Sequence, residues 1–182
     1  MTAVDTIFNL IRDTSSSLPE DVLKAIASSS RKEERGSSAE VVLKTILDNC
    51  ALAKKNAVPI CQDTGTLTFF IDAALRKKVS VAVVRKAVAK ATEASYLRRN
   101  AIDSISGKSY DDNCADGAPV IHYVDPEEVP MLPPRGVCLV MKGGGSENMS
   151  RQYSLPDSAL GAGRDLEGVR RCVLDAVVKT QG

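Results

Sequence analysis

The 182 residues are 43% apolar and 26% charged, the balance of an ordinary folded chain of one domain or two small ones. Twenty-four Lys and Arg against 23 Asp and Glu leave a net charge of +1, which argues against a nucleic-acid module with its usual basic excess. No apolar run approaches the ~18–20 residues of a membrane span. Residues 1–5 lack both the basic start and the apolar core of a secretory signal, so the expected compartment is the cytoplasm.

Five cysteines stand at 50, 61, 114, 138 and 172, an odd number with no CxxC pair. That spacing suits neither a disulfide framework nor a zinc knuckle. The single histidine, His122, excludes any site that takes several imidazoles from this chain.

In chain order the helices come first. Residues 5–12 predict a short helix with Ile7, Leu10 and Ile11 on its apolar side. Ser17 and Glu20 read as a capping box for a second helix with Val22, Leu23 and Ile26 inward. Ser37 and Glu40 repeat that signal before a longer helix whose Leu43, Ile46, Leu47, Cys50 and Ala51 form one stripe of a 3.6-residue period. The period then changes. Residues 66–73 (TLTFFIDA) are β-branched and aromatic and predict a buried strand.

Ser80 caps a further helix to about residue 97, with Val84, Ala87, Val88 and Ala91 inward. Residues 103–117 carry no apolar period and predict a loop. Strands follow at 120–124 and 136–141 around a proline-rich turn, and a last helix spans about 165–179. The fold class expected is α/β, with α+β possible: one domain over residues 1–182, helical to about 56 and mixed with a small sheet from about 57.

Three segments could carry chemistry. Ile60-Cys61-Gln62-Asp63-Thr64-Gly65 places a thiol, a carboxamide and a carboxylate in succession in a loop before a buried strand. Asp-Thr-Gly is equally good turn chemistry, and a lone Cys is often a small buried hydrophobe. An aspartic-protease dyad would need a second such copy, which the chain lacks. Lys142-Gly143-Gly144-Gly145-Ser146-Glu147-Asn148-Met149-Ser150 could bring backbone N–H groups to an anion, or could simply turn; it is no P-loop, since its lysine comes first. Tyr96-Leu97-Arg98-Arg99-Asn100 ends a helix, where basic residues complement the dipole or offer a guanidinium fork to a carboxylate.

In order and spacing these segments, with Asp112-Asn113 and Pro119-Val120-Ile121-His122-Tyr123, resemble the α subunit or N-terminal domain of class I iron–sulfur fumarate hydratases and tartrate dehydratases. The resemblance covers most of the chain. It implies a component of a hydro-lyase that interconverts fumarate and L-malate by reversible hydration. The alternatives are an L-tartrate dehydratase α component, or a non-catalytic, cluster-free binding or assembly protein of the same fold.

By that resemblance Cys61 is one of three thiolate ligands of a [4Fe–4S] cluster whose fourth iron is open to substrate. Gln62, Asp63, Arg98, Gly144, Gly145 and Asn148 would bind the dicarboxylate, with Asp63 also catalytic in proton transfer. No role is carried to Arg99 or His122, and Cys50 and Cys172 fall on apolar helix faces. The family's second cluster cysteine, in a Cys-Pro-Pro segment, lies just past the residues matched by 178–182. The other ligands, and a β subunit or C-terminal domain, are therefore expected to come from elsewhere in a homo-oligomeric enzyme. The chain alone is expected to hold no cluster and to be inactive.

Overall fold

The computed structural model describes residues 1–103, 105–144 and 150–180. It divides into two compact units, residues 1–143 and 144–182. The first holds α1 (Ala3–Ser16), α2 (Glu20–Ser30), α3 (Ser38–Asn56), β1 (Thr66–Asp72), α4 (Val81–Glu93), β2 (Val120–Val124) and β3 (Val137–Lys142), and the second holds α5 (Leu166–Lys179). The mixed α/β class read from the sequence is the class observed.

Helix α1 is longer than predicted because Thr2 supplies a capping box with Asp5, each side chain accepting the other's backbone N–H at 3.2 Å. The Asp5 carboxylate also accepts from Lys90 Nζ at 2.9 Å, and this bond, with those from Thr2, holds it well below the usual carboxylate range. At the other end Ser17 donates its hydroxyl to the Asp13 carbonyl at 2.7 Å. Ser17 therefore closes α1 and does not open α2, which begins behind Pro19 with no side-chain cap bond. The second expected cap is present: Ser37 Oγ accepts the Glu40 N–H at 3.1 Å. The α3 stripe is only partly used, since Cys50 is buried, Leu43 and Leu47 are half-buried and Ile46 is exposed.

The sheet order is β2–β1–β3, with β1 parallel to β2 and antiparallel to β3. A parallel pair cannot be joined by a tight turn, and α4 lies in the long connection that crosses over. In this register Phe69 stands between Ile121 and Leu139. Leu67, Phe69 and Ile71 form the core with Ile7 and Ile11 of α1 and with Val84, Ala87, Val88 and Ala91 of α4. The four α4 residues named from periodicity are fully buried. Burying each large apolar side chain of this set stabilises the fold by about 1.5–3 kcal/mol before entropy is counted.

Phe70 takes the other face of the sheet and stacks on His122 at 5.3 Å between ring centroids. In the second unit Asp165 Oδ1 caps α5 by accepting the Gly168 N–H at 2.7 Å. No described helix is long and apolar enough to cross a membrane.

Candidate functional site

The loop before β1 is tied down at its start. The Ile60 N–H donates to the Ser15 carbonyl and the Ile60 carbonyl accepts from Asn49 Nδ2, both at 2.9 Å. Asp63 then folds the chain: its Oδ1 accepts the Gly65 N–H at 3.1 Å, and its own N–H donates to Cys61 Sγ at 3.4 Å. This turn leaves Cys61 and Gln62 exposed and Thr64 buried. Gly65 has φ +69°, the left-handed region that turns the chain into β1.

Because α4 runs back past β1, the segment after it returns to this loop. The Arg98 N–H donates to Thr64 Oγ1 at 3.2 Å. Between them lies a cavity of about 530 Å³ whose lining includes Cys61, Gln62, Thr64, Leu97, Arg98 and Arg99. That volume suits a small ligand. Three of the predicted residues, Cys61, Gln62 and Arg98, thus meet at one site although Arg98 is remote from the other two in sequence.

Asp63 stands apart from that lining. Its carboxylate lies against the backbone of Gly143, where a Cβ would stand 3.3 Å from Oδ2. Arg99 lines the cavity as well, and also borders a second one of about 490 Å³ that includes Glu93, Asp111 and Asp112. Gly144 opens the second unit. Gly145 and Asn148 lie outside the described residues.

Two residues to which the sequence reading gave no role belong to this architecture. Thr64 was visible only as a turn residue. Asn113 gives no periodic signal, yet its buried carboxamide donates to the Arg98 carbonyl at 2.8 Å. Its signal in the sequence is the Asp112-Asn113 pair of the family resemblance; its φ is +57°, a conformation asparagine tolerates.

The chain's own donor set bears on the cluster. Among the described residues no group of three or more His, Cys, Asp or Glu is placed to hold a metal ion. Cys50 and Cys172 are buried. Burial, followed by the charge of Asp112, pushes the Cys114 thiol up against the opposing pull of Arg85; burial also pushes up Cys138. Cys61, exposed on the cavity, has the chemistry of one thiolate corner of a cluster.

The first unit thus brings a thiol, a carboxamide and two arginines to the lining of one small cavity. The chain belongs to the family described as Fumarate hydratase (Fumerase), which it matches over residues 4–182. It is 41% identical to a Geobacillus stearothermophilus protein provisionally named fumarate hydratase class I, over 98% of this chain and 35% of the relative. It is 29% identical to a Methanocaldococcus jannaschii protein provisionally named L(+)-tartrate dehydratase subunit alpha, over 98% of this chain and 61% of the relative. Identity to the L(+)-tartrate dehydratase subunit alpha of Escherichia coli strain K12 is 26%, over 95% of this chain and 55% of the relative. The chain thus spans less than two thirds of each of these proteins.

Proposed function

We propose that the chain is a component of an iron–sulfur hydro-lyase that adds water reversibly across the double bond of fumarate to give L-malate. The observation that carries this reading is the meeting of Cys61, Gln62 and Arg98 on one cavity in a chain of the fumarate hydratase family. Cys61 would hold one corner of a [4Fe–4S] cluster. When bound, such a cluster supplies a Lewis-acidic iron beside the substrate hydroxyl.

The remaining chemistry falls to this chain's side chains. Arg98 receives a substrate carboxylate through its guanidinium fork. Gln62 offers both an amide donor and an acceptor on the same wall. Asp63 is the proton-transfer residue of this reading; its carboxylate lies against Gly143 outside the cavity lining, so it would have to turn toward the cavity to act. Relatives named as α subunits support a partner subunit or further domain that completes the site, and the cytoplasm is the compartment proposed.

The tartrate reading is second, supported by the two tartrate dehydratase relatives; the higher identity to the fumarate hydratase relative favours fumarate. The test is hydration of fumarate after anaerobic reconstitution of the enzyme with iron and sulfide, with L-tartrate as the competing substrate. Faster turnover of L-tartrate than of L-malate replaces the first reading by the second. No turnover of any hydroxy diacid by the reconstituted enzyme leaves the cluster-free binding protein.

Two results are expected on the way. The 182-residue chain reconstituted by itself should bind far less than one cluster per chain, because one exposed thiol cannot hold a cubane. Iron and sulfide analysis decides this, and a full cluster per chain would refute it. In the enzyme, Arg98→Lys should raise the Michaelis constant for fumarate about tenfold to a hundredfold and lower turnover, since a point charge cannot replace a fork. Arg99→Lys should stay within about threefold, because Arg99 also has Glu93, Asp111 and Asp112 beside it on the second cavity. Steady-state kinetics of the two variants give the ranking, and a reversed order would move the carboxylate clamp to Arg99.

A further inference from the structure

Arg98 lies in a segment without regular structure, yet its peptide is held from both sides. Its N–H donates to Thr64 Oγ1 at 3.2 Å and its carbonyl accepts from Asn113 Nδ2 at 2.8 Å. Both holding residues are buried, Thr64 at 7% exposure and Asn113 at 4%. Asn113 spends its whole carboxamide here. Nδ2 also donates to Thr92 Oγ1 at 3.1 Å, and Oδ1 accepts the N–H groups of Asn100 and Ala101 at 3.1 and 3.2 Å.

Thr92 passes its own hydroxyl hydrogen to the Val88 carbonyl at 2.9 Å, so the network ends on the backbone of α4. The turn that carries Asn113 is itself fixed to α4, because the Arg85 guanidinium donates to the carbonyls of Cys114 and Ala115. A buried polar network with every bond made is rigid, and it is costly to rearrange.

We propose that Thr64 and Asn113 are positioning residues of the site. By gripping the N–H and C=O of Arg98 they set the direction from which its guanidinium enters the cavity and meets a substrate carboxylate. A fork pairs with a carboxylate only when the two planes match, so a modest rotation of this peptide forfeits the bidentate contact. The inference rests on the dicarboxylate reading above, and both residues act through Arg98.

Two near-isosteric variants separate this from a merely structural role. Asn113→Asp keeps the shape and the acceptor for Asn100 and Ala101 but loses the donor to the Arg98 carbonyl and to Thr92 Oγ1. Thr64→Val keeps the β-branched bulk and loses the acceptor for the Arg98 N–H. In the 182-residue chain, amide hydrogen exchange should speed about tenfold or more at Arg98 in Thr64→Val, whereas Asn100 and Ala101 should stay within about threefold in Asn113→Asp, which keeps their acceptor. The buried α4 amides of Val88 and Ala91 should stay within about threefold.

In the cluster-loaded enzyme each variant should raise the Michaelis constant for fumarate about tenfold, with a smaller loss of turnover and unchanged iron content. Added to Arg98→Lys, each should have little further effect, since the fork it aims is already gone. Turnover lost at constant Michaelis constant, full additivity with Arg98→Lys, or unchanged exchange at Arg98 in Thr64→Val would each overturn the proposal. Should Asn113→Asp fail to fold, Thr64→Val decides both readouts. Wild-type enzyme that turns over no diacid, with the exchange pattern as expected, sinks the dicarboxylate reading and this role with it, while the grip on Arg98 stands.

Discussion

Replacing Cys61 by serine in the reconstituted enzyme should abolish hydratase activity and cluster content together, while Cys50→Ser should leave both nearly intact. The two cysteines differ in surroundings. Cys61 is exposed on the cavity wall, and its sulfur takes one hydrogen bond from within its own loop, the Asp63 N–H at 3.4 Å. Cys50 is buried on α3 at 4% exposure. A serine oxygen at position 61 still accepts the Asp63 N–H, so the loop should keep its turn while the soft thiolate donor is lost. At position 50 the same change places a hydroxyl at a buried position of α3, where it can turn to the carbonyl one helical turn back, at a cost of about 1–2 kcal/mol in stability. Iron analysis, the visible absorption of the cluster and thermal melting of both variants distinguish the cases. Equal loss of activity in two folded variants would remove Cys61 as the ligand.

How much of this was legible in the sequence follows from the range of the forces involved. The α4 face of Val84, Ala87, Val88 and Ala91 is fully buried, because a helix repeats every 3.6 residues and one stripe must face the sheet. Strand β1 announced itself by β-branched and aromatic residues, since those side chains fill a pleated, buried surface. Local chemistry misled at Ser17. It has the right spacing for a cap, but α1 runs on to Ser16 and takes Ser17 as its own end. The thiol and guanidinium of the candidate site were visible as residues through the family resemblance. The bonds that bring them together were not. Thr64 with Arg98, and Asn113 with Arg98, pair across the chain through single hydrogen bonds, and a single bond between distant segments leaves no repeating pattern to read. The direction of the Asp63 carboxylate, which lies against Gly143, was likewise not legible, because it depends on a segment about 80 residues further along the chain.

Gly65→Ala should be the most destabilising small substitution in the site, by about 3 kcal/mol or more, through two separable terms. The first is conformational. Gly65 sits at φ +69°, where an alanine costs about 1–2 kcal/mol. The second is contact. A Cβ there would stand 2.0 Å from the Lys142 carbonyl oxygen, 2.3 Å from its carbon and 2.6 Å from the Gly143 nitrogen. All three are backbone atoms of the end of β3, so no side chain can swing away to make room. Relief must come from parting β1 and β3 where Thr66 pairs with Lys142, which also withdraws Gly143 from the Asp63 carboxylate. Gly107 provides the control: it has the same φ of +69°, and nothing lies within 4 Å of its added Cβ. Gly107→Ala should therefore cost only the conformational term, and the difference between the two variants in urea denaturation measures the clash. Equal destabilisation of the two would mean that the approach of Gly65 to Lys142 is not what holds the loop to the sheet. A larger loss in Gly65→Ala, with fumarate turnover falling alongside, is the result expected if the glycine of the Asp63-Thr64-Gly65 turn is there to let two backbones meet.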